Sequence, residues 1–76
     1  MSDAGRKLRG ISGEQAIRAF QRIGYSVARS RGSHVILEHT ERKALVIPRH
    51  GSLRPGLLLA RVKDAGLTPE EFADLL

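Results

Sequence analysis

The chain has 76 residues, with 13 Lys and Arg against 8 Asp and Glu, and a formal net charge of +5. A chain of this length forms one domain with a thin core, burying about 60% of its unfolded surface, so a functional site belongs on an open face and not in a deep cleft. The lack of cysteine excludes disulfides, thiolate nucleophiles and cysteine-ligated zinc, and leaves three histidines as candidate ligands.

No apolar run is long enough to span a bilayer, and the start of the chain lacks the apolar stretch of a signal peptide, which places the protein in the cytoplasm. The arginines recur along the whole chain, so a polyanion is a natural partner. The same charge also serves plain solubility, and charge alone does not choose RNA over DNA.

Residues 1–10 are polar, lack hydrophobic periodicity and read as a flexible segment ahead of a single domain over residues 11–76. Ser12 followed by Gln15 has the form of a capping box, and Ala16, Ile17, Phe20 and Ile23 recur at helical spacing. These predict a helix from Ser12 to Ile23, stopped by Gly24, with Arg18, Gln21 and Arg22 on the wet side. Tyr25 to Ser30 predicts a strand with Tyr25, Val27 and Arg29 on one face and Ser26, Ala28 and Ser30 on the other. The turn Arg31-Gly32-Ser33 leads into a second strand, His34 to His39, and Thr40-Glu41-Arg42 into a third, Lys43 to Ile47, closed by Pro48.

Pro55 then opens a helix whose Leu58, Leu59, Val62 and Ala65 form an apolar stripe ending at Gly66. Thr68-Pro69-Glu70-Glu71 is a second capping box, starting a short helix that buries Phe72, Leu75 and Leu76. Short turns between consecutive strands impose an antiparallel meander, and helices with one apolar stripe each are buried by packing on it. The fold class is therefore α+β, ordered α-β-β-β-α with a short C-terminal helix: a three-stranded antiparallel sheet with helices on one face. This is the outline of a double-stranded-RNA-binding-like domain, an order of elements that other small α+β folds share.

Five features in this order resemble the HicA (YcfA-like) mRNA interferase family. They are Gly24-Tyr25 at the end of the first helix, the Arg31-Gly32-Ser33-His34 turn, the Val46-Ile47-Pro48-Arg49-His50 strand exit, Pro55-Gly56, and Asp64-Ala65-Gly66-Leu67. The resemblance covers Ile11 to Leu67; one departure is Leu57, where the family often has Thr after the glycine that opens the second helix. The resemblance implies a toxin of a toxin-antitoxin pair that cleaves mRNA, is held inactive by a HicB-like antitoxin, and uses His34 as its catalytic histidine.

RNA can be cut without metal because its own 2′-hydroxyl attacks the adjacent phosphorus. The protein then has to move protons and stabilise added negative charge. Imidazole, with an ordinary pKa near ~6.5, suits the first task as general base or general acid, and one histidine does not say which. Guanidinium and ammonium groups suit the second.

Arg29, Arg31, Lys43 and Arg49, read as clustering at strand ends near the Gly-Ser turn, are the phosphate-binding candidates. Gly32 permits close approach of RNA and Ser33 offers a hydroxyl, although both residues equally serve the hairpin turn. His39, an odd number of residues from His34, points to the other face and reads as a surface residue near a turn. His50 reads as a solvated loop residue, and a three-histidine metal site is disfavoured because His34 and His39 face apart.

The aromatic residues are Phe20, Tyr25 and Phe72, which argues against an aromatic base-stacking platform. Two alternatives remain at this level: a non-catalytic RNA-binding module of the same fold, and a domain whose open sheet pairs with another protein.

Overall fold

The structure, a computed structural model, describes residues 8–76. Its elements are α1 (Gly13–Gln21), β1 (Ser26–Arg31), β2 (His34–Glu38), β3 (Leu45–Pro48), α2 (Pro55–Asp64) and α3 (Pro69–Ala73). The strands form one antiparallel sheet in the order β1-β2-β3.

Helix boundaries follow the local chemistry. Ser12 Oγ accepts from Gln15 N–H at 3.1 Å and Gln15 Oε1 accepts from Ser12 N–H at 2.8 Å, so both arms of the first capping box form. Thr68 and Glu71 repeat the arrangement at the start of α3. The chain leaves α1 and α2 in the same way: Gly24 N–H bonds the Gln21 carbonyl and Tyr25 N–H that of Phe20, while Gly66 N–H bonds Lys63 and Leu67 N–H bonds Val62. Each pair returns two orphan carbonyls of the last turn to hydrogen bonding.

The core lies between the helices and one face of the sheet. Val35 and Leu37 of β2 and Leu45 and Ile47 of β3 are fully buried, against Ala16, Ile17 and Phe20 of α1, Leu58 and Val62 of α2, and Phe72 of α3. Phe20 joins the layers, with its ring 4.8 Å from Phe72 and edge-on to Tyr25 at 5.6 Å. Truncating either phenylalanine to alanine would cost about 3–5 kcal/mol.

The structure corrects several sequence expectations. Leu8, within the segment read as flexible, is 1% exposed and part of the core; residues 1–7 of that segment lie outside the described residues. Leu59 and Leu76, assigned to buried stripes, are exposed, because Leu58, Val62 and Ala65 complete the core side of α2 and the chain passes the core after Phe72. The third strand starts at Leu45 and not Lys43, since the Lys43 carbonyl accepts the Tyr25 hydroxyl at 2.8 Å in place of a strand partner.

The loop after β3 is strapped to the start of α1. Gly13 N–H donates to Gly51, Leu53 N–H donates to Ile11, and Ser12 bridges Ser52. Gly13 packs so tightly on β3 that a Cβ there would lie 1.8 Å from the Pro48 carbonyl oxygen. This contact fixes the edge of the sheet that carries the candidate site.

Candidate nucleic-acid interface

A two-residue turn, Gly32-Ser33, joins β1 to β2 and is closed by the pair Arg31 and His34. Gly32 has φ +59°, a conformation that suits glycine at the first centre of a tight hairpin. The turn is braced from the third strand, because Arg49 N–H donates to the Ser33 carbonyl at 2.7 Å.

Opposed residues in an antiparallel sheet share a face, so the register sorts the side chains. Val35 and Leu37 face the core, which puts His34 and Ile36 on the open side of the sheet. His34 pairs with Arg31 on one flank and Pro48 on the other; Ile36 pairs with Arg29 and Val46. The His34 side chain is exposed, and no hydrogen bond or ion pair engages it among the described residues.

Regular pairing from the turn puts Arg31 and Arg29 on this face, and a β-bulge beyond them turns Val27 to the other. The register shifts between Val27 and Arg29, leaving Ala28 without a partner. Val27 therefore sits with Leu37 on the core side, whereas Arg29 and Arg31 lie on the side of His34. Period-two alternation assigned Val27 and Arg29 to one face, and the extra residue overturns that assignment. Neither Arg29 nor Arg31 has an acidic partner among the described residues, whereas Arg18 pairs with Glu14, and Lys43 and Arg61 both pair with Asp64.

Two residues grouped with these in the sequence lie elsewhere. Lys43 follows the far end of β2, past Glu38, where its Nζ is 3.6 Å from Asp64. Four residues of extended chain separate the two ends of β2, about 13 Å at 3.3 Å per residue. Arg49 reaches over the helix side, lining a shallow groove with Glu14, Ile17, Arg18, Gln21 and Val27. What it contributes to the His34 turn is its backbone N–H.

His39 is a structural residue, half-buried and not a loose surface group. Its Nε2 lies 2.8 Å from the Ile23 carbonyl, its Nδ1 accepts the Glu41 N–H at 2.9 Å, and its ring stands edge-on to Tyr25 at 4.9 Å. These partners together call for the neutral Nε2–H tautomer. His50 is exposed in the loop after β3. Among the described residues no three His, Asp or Glu side chains come together as a metal site requires, and no helix is long and apolar enough to cross a membrane.

Sequence reasoning missed the aliphatic side of this face. Val46 is 44% exposed, and Ile36 and Pro48 are partly exposed beside it. The available signal was the run Val35-Ile36-Leu37, apolar on both faces of a strand with only one face to bury.

No curated protein matches the sequence. The family model described as the HicA toxin of bacterial toxin-antitoxin matches residues 13–67, from the first residue of α1 through the end of α2 and the turn after it. The match takes in the whole sheet and the Gly32-Ser33-His34 turn, and the chain belongs to the HicA toxin family.

Proposed function

We propose that this chain is the toxin of a type II toxin-antitoxin pair and cleaves mRNA by a metal-independent reaction in which His34 moves the proton. The observation carrying this reading is an exposed imidazole, with no hydrogen-bond or ion-pair partner among the described residues, on the same open sheet face as two guanidinium groups that have no acidic partner among those residues. As general base His34 takes the proton from O2′; the new O2′–P bond forms and the P–O5′ bond breaks, giving a 2′,3′-cyclic phosphate and a 5′-hydroxyl. As general acid the same imidazole, protonated, delivers a proton to the departing O5′.

Arg29 and Arg31 stand where they can hold the non-bridging phosphate oxygens and offset the charge that grows in the transition state. Gly32 and Ser33 let the RNA backbone approach the turn, and Arg49 braces it. Lys43 is left out of the site. A HicB-like antitoxin is the natural protein partner, and covering this open face would silence the enzyme.

The test is incubation of purified protein with labelled RNA in excess EDTA. Cleavage that persists with chelator and disappears in His34→Ala supports the reading. Undiminished cleavage by His34→Ala rejects it, and tight RNA binding without turnover by the wild type points to a non-catalytic binding module.

A further inference from the structure

The open face is divided lengthwise, strand by strand. β1 contributes cations, Arg29 and Arg31; β3 contributes aliphatic surface, Val46 and Pro48; β2 runs between them with His34 and Ile36. We propose that the substrate lies along this face as a single strand, its phosphates over β1, its ribose over β2, and one unstacked base on the floor formed by Ile36, Val46 and Pro48. This rests on the reading of His34 as the group that acts on the ribose.

In a nucleotide the ribose lies between phosphate and base. A strand whose phosphates lie along Arg29 and Arg31 and whose base rests on Val46 and Pro48 has its ribose over β2, beside His34. The two rows, Arg31-His34-Pro48 and Arg29-Ile36-Val46, are two residues apart along the strands, about 7 Å. Each row presents a cation at one end and apolar surface at the other.

A duplex does not fit this division. Its bases are stacked inside, and an A-form surface offers phosphates and 2′-hydroxyls where Val46 would need an apolar contact. An unpaired base has a free face, and covering Val46 with it removes apolar surface from water. The cationic strip is also bounded: farther along the same face β1 and β2 present Ser26 opposite Glu38, and that carboxylate repels a phosphate. The half of the face nearest the Gly32-Ser33 turn is therefore the part that suits the strand.

The test uses RNA with a single cleavage site and a version carrying an abasic ribonucleotide, 2′-hydroxyl retained, at the nucleotide that attacks or its neighbour. The expected result is that loss of one of these bases lowers kcat/KM about tenfold for the wild type, the effect of about 55 Å² of apolar surface removed from water at about 25 cal/mol per Å². Val46→Ser should lose a similar factor on intact RNA and little more on abasic RNA, and annealing a complementary strand should suppress cleavage. Val46→Thr keeps shape and strand propensity, so a smaller loss of the same kind with an unchanged melting temperature separates the contact from misfolding.

Equal cleavage of intact and abasic RNA by a wild type that still depends on His34 overturns the placement and leaves the nuclease reading standing. Cleavage indifferent to His34→Ala removes that reading itself, and this inference with it. Cleavage unaffected by Val46→Ser, with loss of a co-purifying protein partner, assigns the floor to protein docking and overturns the placement as well.

Discussion

Val27 and Arg29 stand two residues apart in β1 yet face opposite sides of the sheet, because Ala28 between them is an unpaired bulge residue. Counted from the Gly32-Ser33 turn, regular pairing puts Arg31 and Arg29 on the face of His34, and the bulge residue is what turns Val27 away from it. Deleting Ala28 leaves Val27 opposite Leu37 and Arg29 opposite Ile36 in regular register. The deletion should therefore fold with a stability within about 1 kcal/mol of the wild type and keep RNA affinity, whereas inserting a second alanine there should cost stability by displacing Val27 from Leu37 while Arg29 and Arg31 keep their partners. Urea denaturation and RNA binding of both variants check this; a deletion that unfolds the protein would show that the bulge itself carries stability.

Arg31→Ala should weaken binding to a non-cleavable 2′-O-methyl RNA and lower the magnitude of the log K against log salt slope by about 0.7, the contribution of one contact with single-stranded phosphate. Lys43→Ala should leave the slope unchanged, because that ammonium lies beyond the far end of β2 and pairs with Asp64. Equal changes in the two variants would contradict the division of charges described above.

Gly13→Ala tests the seam between α1 and β3. By helix propensity alone alanine would be favoured by about 1 kcal/mol. Its Cβ, however, would sit 1.8 Å from the Pro48 carbonyl oxygen and 2.6 Å from that of Arg49, both backbone atoms that cannot swing aside. Net destabilisation of about 1–3 kcal/mol is expected from the overpacking. Because Pro48 is the cross-strand partner of His34, cleavage should fall with it. A more stable protein would mean that the two segments separate without cost.

Tyr25 gives the fold a defined response to alkali. Burial raises its phenol above the ordinary value of 10.0, Arg42 opposes that shift and Asp64 adds to it. The folded state thus holds this proton more tightly than the unfolded state, so the contribution is complete below about pH 10 and is lost as pH rises through the raised folded value. Tyr25→Phe removes the bond to the Lys43 carbonyl, at a cost of about 1 kcal/mol near neutral pH, and should flatten the decline above pH 10. Stability curves that stay parallel across that range would remove Tyr25 as the cause.

What the sequence determined by itself is the set of features governed by neighbours a few residues apart. Ser12 with Gln15 and Thr68 with Glu71 announce their capping boxes, Gly24 and Gly66 their helix ends, and Gly32-Ser33 its turn, because each hydrogen bond closes within one turn of chain. The helical apolar spacing identified Phe20, Leu58 and Phe72 as core for the same reason. Only the tertiary structure decided which way β1 turns its arginines, that Lys43 lies away from the Gly-Ser turn, that Leu8 enters the core and that His39 is locked on Ile23. Each of these depends on partners brought together by strand pairing and packing, and one unpaired residue in a strand reverses every facing that alternation assigns after it.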